Sequence, residues 1–227
     1  SLAKYKMAKT ITAVGNAQVD TAQSKFGGAS GLFDGSGDRL TLNLGSDVIG
    51  TQSFTFEYWV RYTGSFVNYI TNAGTTRGAT GFNCGTQALA QLVWYNQTLG
   101  EILRGTGTNF TLDTWHHVAY VRNGTSFKGY VDGVEKASAT DSTDYSDATM
   151  WIGDLNPGAS EPFNGWMDEI RLSIGIARWT AAFTPPTSAY TCADQYTKLL
   201  IHCNGADAST TFTDDTTICF IPQIIII

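Results

Sequence analysis

The stretch nearest to a hydrolytic pair is "WMDEIRL", Trp166 to Leu172, where two carboxylates stand side by side. Cleavage of a glycosidic bond takes two carboxyl groups flanking the sugar, one as acid and the other as nucleophile or base. Neighbours on a strand point to opposite faces, so Asp168 and Glu169 separate. Positions 170 and 172 are apolar. The pair cannot act together, and the chain reads as non-enzymatic, with no catalytic residue. His116 and His117 also split across two faces. No Ser or Cys nucleophile accompanies them, and they read as a packing pair. His202 reads as structural. "GGASG" at Gly27 to Gly31 opens a strand rather than a helix, so it is not a phosphate loop. The cysteines, Cys84, Cys192, Cys203 and Cys219, lack the CxxC spacing of a zinc site. They are disulfides in an oxidising compartment or buried thiols elsewhere. Sugar binding asks for an exposed aromatic ring with amides or acids around it. Trp94 and Tyr95, followed by Asn96, form one candidate platform, and Trp151 with Asp154 forms another. Core packing is the competing role for each ring.

Composition limits the remaining functions. The chain has 227 residues, a formal net charge of -6 and a pI of about 4.9. No cluster of Lys and Arg tracks a phosphate backbone, so nucleic acid is excluded as a partner. Hydrophobic residues make up 42%, enough for a sizeable core, and no run of ~18 apolar residues is available to span a bilayer as a helix. Ser1 to Ala8 is basic, with no apolar stretch of a signal peptide behind it. Charged residues are only 15%, a composition that points to an extracellular or virion surface.

These side chains are carried by strands. Period-two alternation dominates and helical periodicity is nearly absent. In "SFTFEYWVRY", Phe54, Phe56, Tyr58, Val60 and Tyr62 share the core face, and Thr55, Glu57, Trp59 and Arg61 take the other. From Trp115 to about Ala139, Asn123-Gly124 and Asp132-Gly133 each sit between alternating runs and predict type I′ hairpins in a three-stranded meander. Further strands are expected at Leu32–Phe33, Leu40–Leu42, Leu89–Tyr95, Thr149–Ile152 and Trp166–Ser173. Many short strands with closely spaced turn signals predict an all-β, two-sheet antiparallel jelly roll. Pro185-Pro186 cannot continue a ladder and marks the end of the compact unit.

Five stretches in order then resemble one family: "KFGGASGLFDGSGDRLTL" (Lys25–Leu42), "FTFEYWVR" (Phe54–Arg61), "TWHHVAYVRNGTSFKGYVDGV" (Thr114–Val134), "WIGD" (Trp151–Asp154) and "FNGWMDEIRLS" (Phe163–Ser173). The chain resembles the laminin-G-like and pentraxin-like domains of the concanavalin A-like lectin/glucanase superfamily, of the kind found in phage and viral structural proteins. The resemblance implies a concanavalin A-like sandwich over residues 9–186. The remainder, 187–227, is a linker and an extra strand that completes its own or a neighbouring subunit's sandwich. It also implies a structural calcium ion near the rim, at Asp38 and Asp168 with Asp34 as a third acid; the alternative is that these acids cap turns and bond backbone amides. Fold alone does not fix function, because this superfamily includes lectins, glycosidases, adhesion modules and structural domains.

The end of the chain reads as a beginning. In domains of this kind a segment like "TKLLIHCNGADASTTFTDDTT" precedes one like "KTITAVGNAQVDTAQSKFGG". Here the first closes the chain at Thr217 and the second opens it at Lys9. Leu199, Leu200, Ile201 and Cys203 are too apolar for water, and the strand they form is expected beside Thr10–Val14, exchanged between subunits. That arrangement predicts a non-enzymatic structural protein of a virion appendage or extracellular filament, assembling head-to-tail with copies of itself. The alternative is a carbohydrate-binding adhesion module whose partner is a glycan.

Overall fold

The computed structural model describes residues 8–64, 68–73, 80–87, 90–96, 98–155, 162–190 and 194–216. Its strands run in chain order as β1 (Ile11–Val14), β2 (Gln18–Asp20), β3 (Ser30–Asp34), β4 (Arg39–Asn43) and β5 (Phe54–Tyr62). Then come β6 (Asn68–Ala73), β7 (Phe82–Gln87), β8 (Gln91–Asn96), β9 (Gly100–Arg104) and β10 (Trp115–Asn123). The last five are β11 (Ser126–Val131), β12 (Val134–Thr140), β13 (Thr149–Ile152), β14 (Asn164–Ile174) and β15 (Thr197–Ile201). A seven-stranded sheet has the order β1-β4-β13-β6-β7-β8-β9. The second sheet has the order β12-β11-β10-β5-β14-β3-β2, with β15 also on β14. The fold is therefore an all-β antiparallel sandwich, and no helix among the described residues is long and apolar enough to cross a membrane.

The core follows from alternation. Phe54, Phe56, Tyr58, Val60 and Tyr62 all point inward with no exposed surface. Opposite them, Phe82 stacks on Trp94 with centroids 4.0 Å apart and planes 13° apart. The meander forms as β10–β11–β12, but one turn differs from expectation. Asn123 pairs with Ser126, so the first loop is Gly124-Thr125, and only Gly124 has positive φ, +58°. This is the type II′ pattern, displaced by one residue because Asn123 is held in the ladder. The second loop is Asp132-Gly133, at φ +51° and +76°, as type I′ requires.

β14 organises the chain ends. β3 pairs with Asn164 to Met167 and β15 with Ile170 to Ser173, so two short strands share one long edge. The expected partner beside Thr10–Val14 is corrected: β1 pairs with β4 in the other sheet. The reason is coverage. β3 is too short to reach the second half of β14, and Leu199 and Ile201 fill the core beneath it with no exposed surface. Burying each contributes about 1.5–3 kcal/mol. Leu200 and Cys203 are buried in the same chain.

The connection between β14 and β15 comes home within the chain. Ile174 N–H donates to Tyr196 O at 2.9 Å, and the Arg178 guanidinium binds both oxygens of Asp194 at 2.8 and 2.9 Å. The intervening residues form a closed excursion. The terminal segments also meet: Val19 N donates to Ser209 O, Ala208 N to Val19 O, and Lys9 N to Asp214 Oδ2 at 2.8 Å. The end of the sequence thus leads to its beginning in space. The terminal run from Ile218 to Ile227 lies outside the described residues.

Candidate functional site

The alternation that turns Leu40, Leu42, Met150, Ile152, Phe82 and Trp94 into the core turns their neighbours to the outer face of the seven-stranded sheet. Backbone register aligns one row across it. Trp151 pairs with Thr41 on one side and Asn72 on the other, Asn72 with Asn83, Asn83 with Tyr95, and Tyr95 with Glu101. Trp151 and Tyr95 are three strands apart, about 14 Å at ~4.8 Å per strand. Both rings keep part of their surface exposed. The Arg39 guanidinium sits 5.8 Å from the Trp151 ring centroid. Arg39 Nε and Asn83 Oδ1 are buried without a hydrogen-bond partner. An unpartnered donor and an unpartnered acceptor thus lie on this face, Asn83 within the row and Arg39 two residues along β4 from Thr41. Leaving such groups unpaired costs about 1–3 kcal/mol each.

The predicted platforms divide. Trp94 is corrected to a core residue, with its Nε1 donating to Tyr145 Oη at 3.0 Å. Asn96 is also buried and caps its own turn, accepting from Thr98 N and Leu99 N. Alternation along β8 sends 92, 94 and 96 inward, so of the three platform residues Tyr95 alone faces outward. Trp151 is on the outer face. Asp154 is buried and accepts from Leu155 N at 2.7 Å, so it does not form the rim expected beside Trp151. Arg39 and Asn83 escaped the sequence reading. The signal was present in "RLTLN" and "FNCGTQ", where polar residues alternate with inward-pointing ones.

The outer face of the second sheet is polar but closed. Glu57 is fully buried, with Oε1 accepting from Arg171 Nε at 2.9 Å and Nη2 at 2.6 Å. Its Oε2 accepts from Trp179 Nε1 at 2.8 Å and lies 3.4 Å from His117 Nε2. Burial alone raises this carboxyl, but His117, Arg171 and Trp179 hold it down to about 2. Trp179 stacks on Phe183, and the Arg171 guanidinium lies 3.6 Å from the centroid of the Tyr190 ring. The excursion after β14 thus roofs this face.

Asp168 and Glu169 do not separate as alternation predicts. The register shifts between Asp168 and Arg171, and Glu169 takes φ +51°. This bulge leaves both carboxyls on the outer side. Asp168 accepts from Lys25 N, Phe26 N and Glu169 N. Glu169 accepts from Tyr190 N and contacts His202 Nδ1 at 2.7 Å. Burial pushes the Asp168 carboxyl up to about 7, helped by the Glu169 charge and opposed by the amides. The Glu169 contact raises His202. Both acids are closed to a substrate, at 0% and 1% exposure.

The acids expected to hold calcium are likewise engaged. Asp38 is buried and accepts from Asn16 N and Asp34 N, while burial raises its carboxyl. Asp34 accepts from Ser36 N and Asn16 Nδ2. Calcium needs six to eight oxygens facing one point. Here N–H donors face the carboxylates, and among the described residues no three His, Cys, Asp or Glu side chains converge on a metal position. Cys84 and Cys203 are buried thiols, and Cys192 and Cys219 lie outside the described residues.

A two-sheet antiparallel sandwich with an aromatic, amide-bearing row on one outer face defines a lectin-like β-sandwich. The chain belongs to the laminin G-like family of the concanavalin A-like lectin/glucanases superfamily, whose model matches residues 34–175. No curated protein sequence matches it. Among solved structures it is similar to domain 4 of AbnA, a GH43 extracellular arabinanase from Geobacillus stearothermophilus, in complex with arabinotriose. The TM-score is 0.58 at 19% identity, covering 77% of this chain and 85% of that one. It is also similar to the botulinum neurotoxin serotype D binding domain, with a TM-score of 0.53 at 14% identity, covering 72% of this chain and 43% of that one. At these identities the likeness is one of fold.

Proposed function

We propose that the chain is a non-catalytic glycan-binding module acting outside a cell, and that the outer face of the seven-stranded sheet around Trp151 takes the sugar. The observation that carries this reading is the partly exposed Trp151 ring beside the Arg39 guanidinium, on the face where Arg39 Nε and Asn83 Oδ1 lack partners. A sugar has an apolar C–H face for a ring and hydroxyls that both donate and accept. Tyr95, about 14 Å along the row, supplies a second contact for an oligosaccharide rather than a single sugar. The similar AbnA domain was solved with arabinotriose, which supports an oligosaccharide ligand here as well. The head-to-tail filament has less support, since β15 is placed in its own chain's core.

Calorimetric titration against neutral oligosaccharides, beginning with arabinotriose, tests the reading. Trp151→Ala is expected to weaken binding by about 1–3 kcal/mol, roughly 5- to 150-fold. Tyr95→Ala is expected to weaken long ligands more than short ones. Neutral oligosaccharides that bind the Trp151→Ala protein as well as the parent, or bind neither, would refute the site.

A further inference from the structure

A second binding position lies where the two sheets meet at one rim. A cleft of about 480 Å³ opens between the loop after β4 and the point where β14 ends and β15 begins. That volume is within the ~300–1,000 Å³ typical of small-ligand sites. Ser46, Asp47 and Val48 form one wall, and Tyr196 and Lys198 form the other. The Gln52 and Gln195 amides stand at its edges.

The wall exists because the excursion returns to its start. Gly175, at φ +88°, leaves room for the Tyr196 ring, whose atoms would lie 3.3 and 3.6 Å from a side chain there. The ring thereby lines the cleft against the Gly175 backbone. The two cations beside it are unevenly held. Lys9 Nζ claims Asp47 Oδ2 at 2.9 Å and also donates to Lys198 O at 2.6 Å. Lys198 Nζ is left 3.8 Å from Asp47 Oδ1, with one further bond, to Gln195 O at 3.1 Å. Two ammonium groups thus share one carboxylate, and the Lys198 side chain is 25% exposed where Lys9's is 7%. Asp214, whose Oδ2 accepts from Lys9 N, is a second carboxylate near this rim, so Lys198 faces the cleft as the more loosely held cation of a balanced group.

We propose that this cleft binds a saccharide carrying a carboxylate, a uronic acid unit, separately from the neutral-sugar row around Trp151. The carboxylate meets Lys198 as a charge-assisted partner. The ring of the sugar lies against Tyr196, and the Gln52 and Gln195 amides reach its hydroxyls.

The test is calorimetry with the full chain and a trigalacturonate, its methyl ester, and a triglutamate peptide, at low ionic strength. The acid is expected to bind at least about tenfold more tightly than the ester. Its affinity is expected to fall between roughly 10 mM and 0.5 M salt as the Debye length shrinks. Lys198→Gln should remove the preference for the acid while leaving the ester unchanged, and Trp151→Ala should leave acid binding intact. Equal binding of acid and ester, or an unchanged preference in Lys198→Gln, overturns the proposal. A triglutamate peptide that binds as well as the trisaccharide overturns the saccharide class. Loss of acid binding in Trp151→Ala transfers the ligand to the sheet face. Because the ester and the salt series use the unaltered protein, the result does not depend on how well the variant folds.

Discussion

Asp168 sets a measurable pH dependence on folding. Its carboxyl titrates at about 7 in the folded chain against an ordinary 3.8. At about 1.36 kcal/mol per pH unit, that gap corresponds to about 4 kcal/mol. A folded pKa above the unfolded one means that the folded state binds the proton more tightly. The contribution is therefore complete below pH 3.8 and is lost as pH rises through about 7. The physical contest is clear: burial and Glu169 oppose ionisation, while three backbone amides favour it. Urea unfolding of the parent and Asp168→Asn, measured from pH 4 to 8, isolates this term, because the amide does not titrate. The parent's stability relative to the variant is expected to fall by up to about 4 kcal/mol across that range. A difference that stays flat, or that grows in the parent's favour as pH rises, would show that the amides outweigh burial and that the carboxylate is charged throughout. His202, raised by Glu169, loses its contribution in the same direction as pH rises, and because the Asp168 charge adds to that rise, part of its effect stays in the difference.

Three further outcomes follow from the packing. Arg122 is fully buried, bound to Asp141 at 3.0 Å and to the carbonyls of Gly50, Gln52 and Thr143, so Arg122→Met should cost about 3–5 kcal/mol in urea unfolding by stranding Asp141. Leu199→Ala should cost about 2–5 kcal/mol without changing the mass measured by light scattering, whereas lost assembly at unchanged stability would restore strand exchange between subunits. Millimolar calcium should leave the thermal midpoint unchanged; a rise that disappears in Asp38→Asn would show that the amides around Asp34 and Asp38 give way to the ion.

Much of the framework was legible because alternation is a local property. "FTFEYWVRY" separates the core face from the outer face by parity alone, and the pairing of Asp132-Gly133 follows from what two residues at positive φ require. Parity failed where a second chain segment decides. Glu169 sits on the outer side because β14 must pair with β5 on both sides of a bulge, and nothing in "MDEIRL" announces the extra residue. Trp94 was assigned to a binding platform because it adjoins Tyr95 and Asn96, yet its strand lies mid-sheet, where one face of every pair of neighbours must be core. The rim cleft was hidden for a related reason. Tyr196 and Gly175 are adjacent only because the excursion between β14 and β15 closes, which sequence distance conceals.

The two outer faces differ in what covers their unpaired polar groups, and that difference bears on function. On the β5–β10–β14 side, the chain supplies Trp179 for Glu57 and the Tyr190 amide for Glu169, and the unpaired Trp59 Nε1 and His117 ring nitrogens are buried with them. On the β13–β7 side, Arg39 Nε and Asn83 Oδ1 stay unpaired on a face that keeps part of the Trp151 and Tyr95 rings exposed. Buried polar groups are almost always paired, so orphans require a reason, and on the open face a ligand can supply it. Replacing either with an apolar residue of similar shape would remove its desolvation cost, and Arg39→Met or Asn83→Leu is therefore expected to raise stability or leave it unchanged. The same substitutions should weaken oligosaccharide binding, because a bound sugar would bring its hydroxyls to these buried atoms. Stability gained and binding lost together would identify a site held open for a ligand. Stability lost with binding untouched would show that Arg39 and Asn83 serve the fold alone.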